Sequence, residues 1–327
     1  MRCVLIKQVF QEDEMKKLLL VVCALAMVTG GAFAQAKIKI GVSMALFDDV
    51  WLTFVRNAIT DWAAKHPDTQ VVIVDANNDS AKQQGQIETF LAQDVDGIVN
   101  LPVDTAATKP VTDMVLKAKK PLVYVNRQPA YFPKGLYYVG SYSIDAGVMN
   151  MEELAKALKG KGNVAILEGE LSNEAAIQRT EGIRQVIKKN PGLKEIRLEV
   201  GNWKRELGKS ITENWLASGD KIDAIASNND EMALGALLAI KAAGKLGQIY
   251  VGGTDGSPDA LDSLSKGELN NTVYQDPVGQ GVGAMDVIYA AIKKQAPKDQ
   301  YGSPDSKGVL WIPYQKVTKD NYKNFIK

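Results

Sequence analysis

The sequence predicts an α/β protein with parallel sheets, divided into two lobes, and three observations carry that prediction. From Ile38 onward, short β-rich apolar runs alternate with longer amphipathic segments. A strand that reads as an unbroken apolar run is covered on both faces, as in a parallel sheet between helical layers. The alternation occurs twice along the chain, and roughly 290 residues follow the N-terminal segment, more than a single core of ordinary size accommodates.

The strand-like runs are Ile38–Met44, Val71–Val74, Gly97–Leu101, Leu122–Val125, Val164–Leu167, Ala224–Ala226 and Ile249–Gly252. Helical patterns fall between them at Trp51–Lys65, Ala81–Ala92, Ala106–Ala118, Ile144–Leu158, Ala175–Lys188 and Glu231–Ala243. Crossovers joining such strands are right-handed. One series closes at Tyr124-Val125-Asn126 and another opens at Leu136-Tyr137-Tyr138-Val139. The polar, proline-containing Arg127–Lys134 between them reads as the passage from one lobe to the other.

The N-terminal segment has a different character. Met15-Lys16-Lys17 precedes an apolar run from Leu18 to Val28, which ends in Gly30-Gly31-Ala32-Phe33-Ala34. A charged start, a short apolar run and small residues at the end describe a secretory signal peptide, too short to be a membrane span. Residues 1–14, with Glu12, Asp13 and Glu14, read as an extension upstream of the true start at Met15. Export to the periplasm follows from this reading. Cys3 and Cys23 both fall in the segment to be removed, leaving a mature chain without thiol or disulfide. With His66 as its one histidine, that chain has no material for a zinc site of the usual nitrogen and sulfur type, and no metal or cofactor is expected. A formal charge of +1 argues against a nucleic-acid partner.

Ligands of open α/β sheets bind beyond the carboxyl ends of the strands. The residues there are Asp48-Asp49-Val50-Trp51, Asn126-Arg127, Glu168 to Arg179, Trp203, Asn228-Asn229-Asp230, Thr254-Asp255 and Gln275-Asp276. A polyhydroxylated ring offers hydroxyls that both donate and accept, together with apolar C–H faces. Carboxylates accept, guanidiniums donate and side-chain amides do both, so this set can satisfy such a ring without bulk water. Trp51 and Trp203 supply flat apolar surfaces for its faces. Each residue also has a plainer reading: Asp49 and Asn229 as helix caps, the tryptophans as core, Arg127 and Arg179 as salt-bridging groups. The glycines of Gly252-Gly253-Thr254-Asp255-Gly256 lack a nucleotide-binding spacing. Asp48-Asp49 are adjacent rather than opposed, and no nucleophile with a base and an orienting group is visible, so an enzyme is not expected.

Two longer motifs add to these residues. Asn228-Asn229-Asp230-Glu231-Met232-Ala233-Leu234-Gly235-Ala236, followed by Val251-Gly252-Gly253-Thr254-Asp255-Gly256-Ser257-Pro258-Asp259, resembles the periplasmic ribose- and galactose/glucose-binding proteins, and the similarity runs from about Ile38 to the C-terminal region. The resemblance implies two Rossmann-like lobes joined by a three-segment hinge, with the ligand buried in the interlobe cleft. It implies lobes of residues 35–128 with 257–290 and 129–256 with 291–327, after the leader 1–34. Ligand-binding positions carry over to Asp49, Trp51, Asn126, Arg127, Arg179, Trp203, Asn229, Asp255 and Gln275. Asn173 and Ala175 replace a histidine and an aspartate of the galactose/glucose type, with Asn173 kept as a contact. Only Lys159-Gly160-Lys161-Gly162-Asn163 stands where that type has a calcium loop, so no metal is implied. The expected ligand is a pentose, hexose or inositol-like cyclitol. The expected partner is the membrane permease of an ABC importer, served by a monomer, with a chemoreceptor left open as a second reader. The rival readings are a sugar-responsive repressor, which would carry a helix-turn-helix where the signal pattern stands, and a sugar-acting enzyme.

Overall fold

The computed structural model describes residues 37–326; the signal-peptide pattern, the upstream extension and both cysteines lie outside them. Strand β1 (Ile38–Met44) is the centre of the first sheet. It pairs in parallel with β2 (Thr69–Asp75) on one side and β3 (Gly97–Leu101) on the other. β4 (Leu122–Val125), β5 (Tyr137–Gly140) and β11 (Val309–Trp311) extend the β3 side, all in parallel register. The second sheet is centred on β6 (Lys161–Glu168), with β7 (Gly192–Val200) on one side. On the other lie β8 (Ala224–Ser227), β9 (Tyr250–Gly252) and β10 (Asn271–Tyr274), and an antiparallel edge strand, β12 (Gln315–Thr318), closes it.

Alternation along the strands shows both sheet faces buried. In β4, Val123 and Val125 join one core cluster while Leu122 and Tyr124 join another. In β6, Ala165 and Leu167 face one cluster, Val164 and Ile166 the other. Continuous apolar runs are therefore what this topology requires.

The helices of the first lobe are α1 (Val50–Lys65), α2 (Ser80–Ala92), α3 (Lys109–Lys117) and α9 (Pro277–Ile292). Those of the second are α4 (Ser143–Ala157), α5 (Glu174–Lys189), α6 (Arg205–Ala217), α7 (Asp230–Ala242) and α8 (Pro258–Ser265). Helices α4 and α5 touch backbone to backbone at Gly147 and Gly182. A β-carbon on Gly147 would lie 1.9 Å from the carbonyl oxygen of Arg179. That close approach, open only to glycine, fixes the turn of helix that carries Arg179.

Strand pairing moves the lobe boundaries expected from sequence. β5 pairs with β4 through Val123↔Tyr137, Tyr124↔Tyr138 and Val125↔Val139, so Arg127–Lys134 loops back into the first sheet instead of leaving it. The chain crosses after β5, at Ser141–Tyr142; it returns after β10, at Gln275–Asp276; and it crosses again between β11 and β12, at residues 312–314. Helix α8 and β10 thus belong to the second lobe, and β11 to the first. Among the described residues, no helix is long and apolar enough to cross a membrane, and no cluster of histidine, cysteine and acidic side chains could hold a metal ion.

Candidate functional site

In the first sheet the strand order turns at β1, and in the second at β6, which is where the ends of neighbouring strands leave a crevice. The two crevices face each other. One cavity between the lobes is lined by Asp49, Trp51, Leu52, Asn126, Arg127, Asn173, Ala175, Arg179, Trp203, Asn229, Asp255 and Gln275. All ten residues singled out from sequence as contacts are among them; Leu52 and Ala175 are the additions.

Several of the plainer readings hold at the same time. Asp49 caps α1, accepting from Leu52 N at 2.8 Å; Asn173 caps α5 through Ala175 N at 3.0 Å; Asn229 caps α7 through Met232 N at 3.0 Å. Capping does not compete with lining the cavity, because a helix that starts at a strand end presents its cap residue to the crevice. Trp51 is both core and wall: it packs in the first lobe's main cluster at 8% exposure, and its Nε1 donates to Gln275 O at 3.2 Å.

Trp203 adopts φ +66°, an uncommon backbone conformation for a bulky residue. Two neighbours hold it. Asn229 Nδ2 donates to its carbonyl at 3.1 Å, and its ring lies against Gly169, where a β-carbon would meet it at 2.1 Å. The ring stands 5.8 Å from the Arg179 guanidinium, and its Nε1 is buried without a partner. Asn126, with φ +65°, donates to Gln280 Oε1 at 3.1 Å.

Two buried guanidiniums dominate the electrostatics. Arg127 comes from the first lobe and donates Nη1 to the carbonyls of Pro102 and Val103 at 3.1 and 3.0 Å. Arg179 comes from the second and donates to Asn228 O at 2.8 Å, Gln275 Oε1 at 2.8 Å and Tyr314 OH at 3.1 Å, with Asp255 Oδ1 at 3.8 Å. The Nε of each is buried without a partner. Burial lifts the Asp49 carboxyl above its ordinary range, against the pull of the Leu52 amide and Arg127. Burial lifts Asp255 much further, with Asp230 and Asp49 adding to it and Arg179 opposing. Fixed donors and acceptors from both lobes, closed to water, are what recognition of a hydroxyl-rich ring demands.

Tyr314, in the third crossing, and Asn228, beside the cap residue, complete the Arg179 contacts and were not singled out from sequence. Asn228 stands inside the quoted Asn228-Asn229-Asp230 motif, whereas Tyr314 sits between two very short strands with no pattern to mark it. A larger groove of about 810 Å³ borders the cavity at Trp51 and Asp255, walled by α1, α8, α9 and the chain end. Its walls are mostly apolar and are built chiefly from helix faces rather than from strand ends, so the smaller cavity is the candidate site.

The lobes are latched across the cavity's mouth. Thr105 N and Oγ donate to Ser172 O at 2.9 and 3.1 Å, and Asn78 Nδ2 donates to Glu170 Oε1 at 2.8 Å. Such a fold, two α/β lobes closed over a polar cavity and linked by three crossings, defines a two-lobed solute-binding protein. A family model for the periplasmic binding protein domain matches residues 40–296, and the chain belongs to that family. It is 39% identical over 317 residues to a candidate rhizopine-binding protein of Rhizobium meliloti, covering 95% of this chain and 99% of that one. It is 30% identical over 321 residues to a D-galactose/methyl-galactoside binding periplasmic protein of Haemophilus influenzae, covering 93% and 96%. Among solved structures, an ABC transporter solute binding protein from Bacillus halodurans with bound myo-inositol superposes with a TM-score of 0.84 at 39% identity, covering 90% and 98%.

Proposed function

We propose that this protein captures a monosaccharide or cyclitol in the periplasm, myo-inositol or a near relative first among them, and delivers it to the membrane permease of an ABC importer. The observation that carries the reading is the convergence of ten polar and aromatic residues, drawn from both lobes, on one cavity. The cyclitol is favoured because the Bacillus halodurans protein, similar over nearly its whole length, holds myo-inositol. Asp49, Trp51, Asn126, Arg127, Asn173, Arg179, Trp203, Asn229, Asp255 and Gln275 are the proposed contacts. Neither lobe alone presents both Arg127 and Arg179, or both Asp49 and Asp255, so the ligand favours the closed arrangement through bonds available only there. Residues 15–34 are proposed to direct export, leaving a mature start near Gln35.

Thermal-shift screening against myo-inositol, other inositols, amino-inositols, D-ribose, D-galactose and D-allose tests this. A ligand at about a hundred times its dissociation constant stabilises the fold by about 2.7 kcal/mol, which raises the melting temperature visibly. A response to cyclitols above pentoses and hexoses is expected; a response to none of these compounds defeats the reading. Mass spectrometry of the periplasmic form checks the start.

A further inference from the structure

Helices α1, α2, α5 and α7 each open on an aspartate or asparagine whose side chain accepts a hydrogen bond from the helix's own first turn: Asp49, Asp79, Asn173 and Asn229. That is the usual work of such a residue at a helix start. Asp276 opens α9 and does not do it. It is buried, and two phenols hold its carboxylate instead: Tyr274 OH donates to Oδ1 at 3.2 Å and Tyr301 OH to Oδ2 at 2.5 Å. The phenols stand on opposite sides of the second crossing. Tyr274 ends β10 and packs on the second lobe's core, its ring centroid 5.1 Å from that of Phe325. Tyr301 follows α9 and packs on the first lobe's core. Gly279 makes room for it, since a β-carbon there would lie 2.6 Å from the Tyr301 ring and 2.5 Å from Asp276 Oδ2. Burial, with the carboxylate adding to it, raises both phenols above their ordinary value, so each keeps the proton it donates. Asp276, Tyr274 and Tyr301 all stand outside the lining of the ligand cavity.

We propose that Asp276 is a positioning residue of the hinge, its carboxylate fixed to the first lobe by Tyr301 and met by Tyr274 of the second only when the lobes close, so that this bond raises ligand affinity from outside the cavity. The part concerning affinity rests on the reading of the cavity given above. Asp276 leads into α9 and travels with the first lobe; Tyr274 ends a strand and travels with the second. The backbone torsions of Gln275 and Asp276 lie between them, and these are the torsions that a hinge motion turns. Opening therefore separates the Tyr274 phenol from the carboxylate. A helix cap would stabilise one lobe alone, whereas this carboxylate bonds across the crossing. A bond present only in the closed form raises the closed fraction, and apparent affinity follows that fraction.

Tyr274→Phe removes one hydroxyl and keeps the ring. Calorimetric titration with myo-inositol should show about fivefold weaker binding, and stopped-flow kinetics should place the loss in a faster dissociation, since the bond forms after encounter. Tyr301→Phe should weaken binding by the same route, and the double variant should bind no worse than Tyr274→Phe, because both hydroxyls act through one carboxylate. Losses that simply add, or a Tyr274→Phe protein with wild-type affinity, overturn the proposal. A second arm needs no ligand: small-angle scattering of ligand-free protein should give a larger radius of gyration for Tyr274→Phe than for wild type. Equal ligand-free radii overturn it as well. Wild-type protein that shows the difference in radius but no binding of myo-inositol keeps the hinge role and defeats the ligand assignment instead.

Discussion

Arg179 Nη2 donates to Gln275 Oε1 at 2.8 Å, and through that bond helix α5 of the second lobe grips the segment by which the chain returns to the first. Gln275 O in turn accepts from Trp51 Nε1 at 3.2 Å, so a second-lobe arginine and a first-lobe tryptophan hold the same residue of the hinge. Groups that face the cavity are thus the groups that set the angle between the lobes. The same side chains line the cavity and hold the hinge, so substitutions there should affect both ligand binding and the angle between the lobes.

Arg179→Ala removes a buried cation and leaves Asp255, Gln275 and Tyr314 facing an empty position. Ligand binding should weaken by roughly 2–4 kcal/mol, more than a single hydrogen bond contributes, because the abandoned partners stay desolvated. Gln275→Ala should weaken it less. Calorimetric titration of both variants with myo-inositol gives the comparison; equal affinities for wild type and Arg179→Ala would remove Arg179 from the site.

The two tryptophans should separate in their effects. Trp51 is packed in the first lobe's core, so Trp51→Ala should cost about 3–5 kcal/mol of folding stability as well as weakening binding. Trp203 lies only partly buried, against Arg179 and Gly169. Trp203→Ala should weaken binding by roughly 1–3 kcal/mol and cost less stability than Trp51→Ala, since its ring is only partly buried. Denaturant unfolding beside ligand titration distinguishes the outcomes.

The latch at the cavity mouth consists of Thr105 on Ser172 and Asn78 on Glu170. These bonds exist only with the lobes closed. Asn78→Ala should shift the ligand-free protein toward the open form and weaken binding a few-fold, since one partly exposed bond contributes about 0.5–1.5 kcal/mol. Small-angle scattering should show a larger ligand-free radius of gyration in the variant, and both proteins should contract to the same radius at saturating ligand.

Stability should depend on pH through the carboxylates that burial has raised. Glu174 moves from 4.5 to about 7 and Asp230 from 3.8 to about 6. A carboxyl held above its unfolded value favours the folded state fully when both states are protonated, and that contribution is lost as pH rises through the folded value. For Glu174 the loss runs from about pH 4.5 to pH 7 and amounts to about 3 kcal/mol. Glu174→Gln should therefore unfold at a higher temperature than wild type at pH 8 and at the same temperature near pH 4.5.

The candidate site was legible because a parallel α/β sheet fixes where strand ends go. Asp49, Asn173 and Asn229 stand at strand-to-helix turns, and the topology sends those turns into the cleft whatever the remaining sequence does. The lobe boundaries were not legible, because they depend on which strands pair. Nothing between Asn126 and Leu136 tells a loop that returns to its own sheet from one that leaves it. Helix α9 escaped notice for a local reason: Gly279, Gly281 and Gly283 lower its helix propensity. Gly281 is needed there, since a β-carbon would lie 2.9 Å from Val55 O on α1. Tyr314 touches Arg179 rather than the cavity, and no spacing in the sequence announces that.

The three crossings also set the order in which the molecule can be finished. The first lobe begins at Ile38, yet α9, which covers β3, β4 and β5, ends at Ile292, and its edge strand β11 ends at Trp311. The second lobe, begun more than a hundred residues later, has ten of its eleven strands and helices in hand by Tyr274, lacking only the edge strand β12. A chain emerging N-terminus first therefore carries an uncovered face of Val99, Val123, Val125 and Val139 until nearly its whole length is available. The lobe that comes first in the sequence is therefore completed last.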